Sequence, residues 1–203
     1  MKVSIPYGST RVRVEVPDGA AVLSPRYPPP LADEKAAFDE ALRRPIGSDP
    51  LKSRVKPDDR VAIAISDITR ATPNERIIPW LLREIGHVPR KNVVILNGTG
   101  THRANTPEEL AGMLGREVMS AYEVVNHDAF APETLSDLGR TPDGIPVRIC
   151  RRWTEATFRI TTGFIEPHFF AGFSGGPKGV VPGLAGIETI LRLHDAALIG
   201  HPK

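Results

Sequence analysis

From residue 61 onward, short apolar runs alternate with amphipathic segments, and this rhythm predicts a succession of strands and helices. A strand that is buried on both faces is apolar at nearly every position, so each apolar run predicts a strand of a parallel sheet. The four predicted strands are residues 61–66 (VAIAIS), 92–97 (NVVILN), 122–127 (YEVVNH) and 158–165 (FRITTGFI). The predicted fold class is therefore α/β: a mostly parallel, Rossmann-like sheet with helices on both faces.

The helices are predicted partly from the residues at their ends. One is predicted over residues 74–86. Another begins after Thr106, which is placed to cap it, with Pro107 at the first helical position and Glu109 closing a capping box. A last helix is predicted over residues 183–199, where apolar side chains recur on neighbouring turns.

Two β-hairpins are predicted in addition to the central sheet. Residues 3–5 and 11–16 form the N-terminal hairpin, and the strict alternation of RVRVEV leaves one of its faces exposed to solvent. Residues 134–141 and 146–152 predict a second hairpin, inserted before the last strand. The segments between the N-terminal hairpin and the sheet are an irregular proline-rich strap (17–30), a helix ended by Pro45 (31–44) and a polar connector (46–60).

Three polar motifs follow the predicted strands, at the points where strands one, two and four end. They are Asp67–Arg70 (DITR), Gly98–His102 (GTGTH) and the glycine-rich stretch from Glu166 to Lys178. The carboxyl ends of parallel strands meet at one edge of a sheet, and ligands bind there. The placement of the motifs therefore predicts a binding site at that edge.

Each motif taken alone allows a simpler interpretation. Asp67–Arg70 can bind a phosphate or a ribose hydroxyl, or it can be a helix-capping turn with a surface ion pair. Gly98–His102 lacks the full dinucleotide-binding fingerprint, and residues 174–178 (SGGPK) lack the spacing of a phosphate-binding P-loop. Lys178 is therefore available for covalent attachment or contact with an anion.

Three histidines, His102, His168 and His194, accompany these motifs and suggest either metal ligation or acid–base chemistry. A catalytic zinc site with three histidines is one possibility. The simpler alternative for each is a partly buried imidazole bonded to a backbone carbonyl. Three phenylalanines flank His168 and predict a dry site that shifts the pKa of a nearby Lys or His: Phe169, Phe170 and Phe173. The remaining histidines are assigned structural roles: His87, His127 and His201.

The amino-acid composition mainly excludes classes of function. The 203 residues include 26 basic and 24 acidic side chains, for a net charge of +2, which gives no electrostatic basis for binding nucleic acid or an anionic membrane. No apolar run has the length of a membrane span, and no signal peptide is visible. Cys150, the only cysteine, lies in an apolar alternation that predicts a buried, inert thiol and fits a reducing cytosol. We therefore expect a cytoplasmic protein.

Three stretches resemble the N-terminal catalytic domain of the nickel-dependent lactate racemase family. They are DITRATPN (67–74), GTGTH (98–102) and EPHFFAGFSGGPKGVVPGLAGIETILRLH (166–194). The last is the most specific, because it holds two histidines and a lysine at fixed separations. The resemblance covers most of the chain.

The resemblance implies a racemase or epimerase of a small 2-hydroxy acid such as lactate, with a nickel pincer nucleotide as its cofactor. In this cofactor, pyridinium-3,5-bisthiocarboxylic acid mononucleotide nickel, a ring carbon and two sulfur atoms hold the metal. Lys178 matches the lysine that tethers the cofactor covalently through a thioamide. His194 matches the histidine that completes the coordination of nickel.

Further roles are implied for the other motifs. His102 and His168 match the pair that alternate as general base and acid on the substrate hydroxyl, and a racemase needs two such groups, one for each enantiomer. Hydride passes from C2 of the hydroxy acid to the cofactor, and the planar 2-oxo acid takes it back on either face. The segment that contacts the cofactor is matched by Asp67, Ile68, Thr69 and Arg70.

Members of this family are about twice as long as this chain and have a second domain. We therefore expect residues 1–203 to be one cofactor-binding domain, with the second domain absent from this sequence. The chain is then part of a longer enzyme, is completed by a partner chain, or is a cofactor-binding half without full activity. Cofactor-maturation enzymes are further implied partners. Two alternatives remain from the residues: a zinc-type hydrolase using the three histidines, and a non-catalytic nucleotide-binding module.

Overall fold

The computed structural model describes residues 1–8, 10–24 and 27–200, which form two compact units, Met1–Glu34 and Lys35–Lys203. The first unit holds an antiparallel hairpin of β1 (Lys2–Tyr7) and β2 (Thr10–Glu15), as predicted. Every residue of β2 is exposed, so the alternating pattern forms a strand here without burying either face. The predicted proline-rich strap has no helix or strand in its described residues; residues 25 and 26 lie outside them.

The second unit contains the other elements. Its strands are β3 (Val61–Ser66), β4 (Val93–Gly98), β5 (Glu123–Asn126), β6 (Leu135–Arg140), β7 (Pro146–Cys150), β8 (Phe158–Thr161), β9 (Pro167–His168) and β10 (Gly172–Phe173). Its helices are α1 (Glu34–Arg43), α2 (Leu51–Arg54), α3 (Asn74–Glu84), α4 (Pro107–Leu114), α5 (Arg116–Ala121), α6 (Arg151–Thr154), α7 (Ile187–Leu193) and α8 (Ala196–Ile199). None of the described helices is long and apolar enough to cross a membrane.

The central sheet has four parallel strands in the order β5–β4–β3–β8. Ile63 of β3 pairs in register with Ile95 of β4 on one side and with Ile160 of β8 on the other. The chain builds outward from β3 in one direction and then returns to add β8 on the opposite side. This order creates a topological switch point between β3 and β8, where ligands bind in open α/β sheets.

Alternate residues of β3 face two different hydrophobic cores, because successive side chains of a strand point to opposite faces. Ile63 and its neighbours on one face pack with α3, α4 and α5. Ala62 and Ala64 on the other face pack with Trp153 of α6 and Ile190 of α7, together with the β6–β7 hairpin. Helices therefore cover both faces, and the predicted α/β fold class is confirmed.

Two other local predictions hold. Thr106 caps α4, since its Oγ1 accepts from the Glu109 N–H at 3.2 Å and the Glu109 carboxylate accepts from the Thr106 N–H at 2.9 Å. The inserted hairpin forms as the antiparallel pair β6 and β7, with an irregular register between Asp137 and Arg140.

Two predicted segments differ in the structure. The polar connector 46–60 contains the short helix α2. Strand β8 ends at Thr161 rather than residue 165, because the chain leaves the sheet there and residues of the 162–166 segment line a cleft instead.

The predicted single helix 183–199 is wrong. Gly183 and Leu184 form a turn, Ala185 forms an isolated β-bridge with Ile149, and the helical residues that follow are divided between α7 and α8. Asp195 has an extended backbone, and its Oδ1 accepts from the Leu198 N–H at 2.9 Å. This side chain begins a new helix, so α7 ends at Leu193 and His194 lies at its C-cap.

Candidate active site

A cleft of about 400 Å³ lies beyond the carboxyl ends of β3, β4 and β8, at the switch point of the sheet. Six of the eight predicted site residues line it: Asp67, Arg70, His102, His168, Lys178 and His194. Ile68 and Thr69 are not among the lining residues. The three strand-end motifs and the end of α7 therefore meet in one place.

Asp67 and His102 form a hydrogen-bonded pair in the cleft. The Asp67 side chain is only 5% exposed, whereas that of His102 is 51% exposed. His102 Nδ1 lies 2.8 Å from Asp67 Oδ2, and Thr69 Oγ1 donates to Asp67 Oδ1 at 2.7 Å. An ionised carboxylate only accepts, so Nδ1 of His102 carries the hydrogen and Nε2 of the neutral ring is left with its lone pair.

His168 has the opposite hydrogen-bond arrangement. It lies in the small β9–β10 hairpin, and its Nδ1 accepts from the Ala171 N–H at 3.3 Å. Because a backbone N–H only donates, Nδ1 is unprotonated and the neutral ring carries its hydrogen on Nε2. Burial, followed by the positive charges of Lys178 and Arg70, lowers the pKa of His168, which favours this neutral form.

The three phenylalanines do not make the site dry in this chain. Phe169 is 90% exposed and Phe173 is 63% exposed. Phe170 does line the cleft, and its ring lies edge-on to both His168 and His194, with centroid separations of 4.8 and 5.4 Å. Hydrophobicity along the sequence did not predict this difference, because burial depends on which elements pack over the loop.

Lys178 lies on a 3-10 turn, Gly176–Gly179, that forms one wall of the cleft. Burial lowers the pKa of its amine, the Arg70 guanidinium lowers it further, and the Glu166 carboxylate acts in the opposite direction. A larger fraction of the amine is therefore neutral than at an exposed lysine. Neutral amines are the nucleophilic form of lysine.

Close packing of backbone positions the Lys178 turn against the His102 loop. The Gly100 N–H donates to the Gly183 carbonyl at 3.0 Å. A Cβ on Gly183 would lie 2.3 Å from the Gly179 carbonyl oxygen, and one on Gly98 would lie 3.3 Å from that same oxygen. A side chain on Gly183 would therefore clash with the Gly179 carbonyl oxygen, and one on Gly98 would be packed tightly against it.

His194 is oriented by the last turn of α7. Its Nδ1 lies 2.8 Å from the Ile190 carbonyl oxygen, which only accepts, so Nδ1 carries the hydrogen and Nε2 has a free lone pair. Metal-binding histidines are commonly held in this way by a carbonyl on the other ring nitrogen.

A zinc centre built from the three histidines is not supported by this geometry. Within the part of the chain that the structure describes, no group of three or more His, Cys, Asp or Glu side chains is arranged to hold a metal ion. A metal at His194 would need its other ligands from elsewhere, such as a cofactor that brings its own donor atoms.

The histidines and the cysteine that were assigned structural roles have structural contacts where the structure describes them. His87 Nε2 lies 2.8 Å from the Val55 carbonyl, and buried His127 Nε2 lies 2.8 Å from the Ala185 carbonyl. His201 lies outside the described residues. Cys150 is buried, and burial raises the pKa of its thiol, as expected for an inert cysteine.

The sequence reasoning missed a cluster of carboxamides beneath the cleft. Asn97, Asn105 and Asn126 are linked by hydrogen bonds, and Asn97 is fully buried. Asparagine is unfavourable in buried strands. Asparagine nevertheless ends two apolar runs, ILN (95–97) and VVN (124–126), and this pattern could have indicated the cluster.

Comparison with known proteins agrees with this geometry. The chain is 34% identical over 206 residues to the lactate racemase of Lactiplantibacillus plantarum, covering 99% of this chain and 49% of the relative. It is also 34% identical over 206 residues to the lactate racemase of Thermoanaerobacterium thermosaccharolyticum, covering 98% of this chain and 48% of the relative. The chain thus spans about half the length of the curated relatives it matches.

Solved structures show the same similarity. The lactate racemase apoprotein from Thermoanaerobacterium thermosaccharolyticum superposes with a TM-score of 0.84 at 32% identity, over 100% of this chain and 48% of that one. A protein from Thermotoga maritima superposes with a TM-score of 0.68 at 26% identity, over 82% and 42% of the two chains. The family model for the lactate racemase N-terminal domain matches residues 7–203. The chain therefore belongs to the lactate racemase N-terminal domain family.

Proposed function

We propose that this chain is the cofactor-binding part of a racemase or epimerase that acts on a small 2-hydroxy acid such as lactate. Lactate is the substrate named for both curated relatives. The observation that carries the proposal is the pair of imidazoles in one cleft, His102 and His168, whose hydrogen bonds select opposite tautomers.

This pair matches what racemisation requires. For one enantiomer, the Nε2 lone pair of His102 accepts the proton of the substrate hydroxyl, and the imidazolium form of His168, whose pKa is lowered by burial and nearby positive charge, gives a proton to the oxygen of the 2-oxo acid. The opposite enantiomer uses the same pair in reverse, with neutral His168 as base and the His102 imidazolium as acid, so the number of protons on the pair and substrate is unchanged. The Asp67 carboxylate orients the His102 ring through its bond to Nδ1.

The residues of the cleft fit a nickel pincer nucleotide. His194 offers a single oriented lone pair at Nε2, which suits a metal that already has other ligands. Lys178 offers an amine with a lowered pKa for a covalent tether. When bound, this group supplies the acceptor and donor for the hydride of C2.

Electrostatics in the cleft favour an anion. Arg70 is exposed and lines the cleft, and its positive charge lowers the pKa values of both Lys178 and His168. A guanidinium binds a carboxylate or a phosphate through two parallel hydrogen bonds. We assign to Arg70 the contact with such an anion of the substrate or cofactor, within the proposed cofactor-contacting segment 67–70.

The whole activity needs more protein than this chain supplies. Beside the cleft, an apolar lip presents large exposed side chains: Phe164, Ile165, Phe169 and Phe173. The curated relatives of this chain are about twice as long. In this proposal, a second domain or partner chain would cover the lip and exclude water. Cofactor-maturation enzymes would load Lys178.

The experiment that tests the proposal measures nickel content beside racemisation rate in the full-length enzyme. His102→Gln and His168→Gln should keep nickel near the wild-type content but lose about 10²–10⁴ in rate, since they remove proton transfer alone. His194→Gln should lose nickel as well, because it removes a ligand. Loss of nickel in His168→Gln together with retention in His194→Gln would contradict these roles.

A further inference from the structure

Three asparagines, Asn97, Asn105 and Asn126, form a carboxamide cluster beneath the cleft. Asn97 and Asn126 are register partners at the carboxyl ends of β4 and β5. Asn97 Nδ2 donates to Oδ1 of both other members, at 2.8 Å each. Asn126 also bonds the backbone of Asn105 in both directions, at 2.9 and 3.1 Å. The cluster therefore anchors Asn105 firmly to the sheet.

One hydrogen bond leaves this cluster towards the cleft. The Ile68 N–H donates to Asn105 Oδ1 at 3.2 Å, and Ile68 directly follows Asp67. Asn105 lies at the end of the loop that carries His102. The segment after β3 and the loop after β4 are thus joined by two hydrogen bonds. One links Asp67 and His102, and the other links Ile68 and Asn105.

The orientation of the Asn105 amide is determined by its other contact. Asn105 Nδ2 donates to Glu109 Oε2 at 3.1 Å, and Arg103 donates two hydrogen bonds to the same carboxylate. Hydrogen bonding from Arg103, followed by that from the Thr106 N–H, lowers the pKa of Glu109 to about 2, so it stays an ionised acceptor. The NH₂ group must therefore face Glu109, and Oδ1 must face Ile68.

We propose that Asn105 is a positioning residue for proton transfer, whose Oδ1 holds the Ile68 N–H so that the Asp67 carboxylate stays within hydrogen-bond reach of His102. Its catalytic consequence rests on the proposed function, in which His102 exchanges a proton with the substrate. The hydrogen-bond link itself does not depend on that function. The two parts are therefore separable by experiment.

The link is tested by nuclear magnetic resonance on the 203-residue chain, through hydrogen exchange at the Ile68 amide and the nitrogen shifts of His102. Asn105→Ala should speed exchange at Ile68 about tenfold and convert His102 from the Nδ1–H tautomer to a mixture. Asn126→Ala is the comparison variant: it removes the two bonds to the Asn105 backbone but leaves the Oδ1 acceptor of Ile68 in place. It should change both signals less than Asn105→Ala does.

Unchanged signals in folded Asn105→Ala, or equal changes in Asn126→Ala, would overturn the positioning role. If Asn105→Ala does not fold, Asn105→Ser carries the test, because it keeps a small polar side chain while removing the Oδ1 acceptor of Ile68. Faster exchange at Ile68 is then expected, and wild-type exchange would refute the link.

A kinetic measurement on the loaded full-length enzyme separates this proposal from the proposed function. Asn105→Ala should lower kcat with little change in KM, since it misaligns a proton-transfer group without removing a substrate contact. An altered tautomer with unchanged kcat would overturn the role of His102 in proton transfer, whereas an unaltered tautomer would overturn the positioning by Asn105.

Discussion

At the scale of single residues, the site depends on imidazoles whose second nitrogen is already engaged. His102, His168 and His194 each use Nδ1 in a hydrogen bond, to a carboxylate, a backbone N–H and a backbone carbonyl respectively. The partner decides which tautomer is present, and so whether Nε2 accepts a proton, donates one or binds a metal. Residue identity in the sequence predicted the set of histidines, but these partners were visible only in three dimensions.

Buried His127 provides a pH test at this scale. Burial lowers the pKa of its imidazole, so the folded state favours the neutral ring, whose Nε2 bonds the Ala185 carbonyl. Its contribution to stability should be complete above the ordinary histidine pKa, about 6.5, and be lost as pH falls towards the lower folded-state pKa. We expect the unfolding free energy of wild type to fall below pH 6.5 more steeply than that of His127→Gln. Parallel urea-denaturation curves across this range would contradict the assignment.

At the scale of elements, the parallel strands were the most predictable part of the chain. A strand buried on both faces leaves a continuous apolar run, so β3 and β4 were located to within one residue. The last helix was predicted wrongly, because the apolar periodicity of residues 187–199 continues past Asp195. The Asp195 side chain starts a new helix there. The carboxamide cluster was also missed, since its hydrogen bonds join residues from separate strands and loops.

The close packing of Gly183 on Gly179, next to Lys178, gives an element-scale prediction. Gly183→Ala places a Cβ 2.3 Å from the Gly179 carbonyl oxygen, and overpacking of this kind costs about 1–3 kcal/mol. We expect that loss in unfolding free energy, together with poorer cofactor loading at Lys178.

Gly112→Ala is the control, because no atom lies within 4 Å of a Cβ at that position in α4. It should stabilise the chain by roughly 0.5–1 kcal/mol, since alanine favours helix more than glycine does. Equal effects of the two substitutions would show that the contact is not tight. Denaturant titration of both variants measures the difference.

At the scale of the whole molecule, the switch point of the sheet explains why distant motifs meet. Asp67, His102 and Lys178 are far apart in sequence, yet each follows a strand or loop at the same edge. Their convergence followed from strand order and was predictable from the alternation of strands and helices. The exposure of the apolar lip was not predictable, because it depends on which elements pack over those residues.

The central claim is that Lys178 carries a covalently attached nucleotide cofactor. The most direct measurement is the intact mass of the chain after co-expression with the cofactor-maturation enzymes, with peptide mapping of the added mass. Wild type and Lys91→Arg, a change at the opposite edge of the sheet, should both carry the adduct on the peptide containing Lys178. Lys178→Arg should lack it, because a guanidinium keeps the charge but does not form the thioamide. A full adduct on Lys178→Arg, or an adduct mapped to another lysine, would contradict the account.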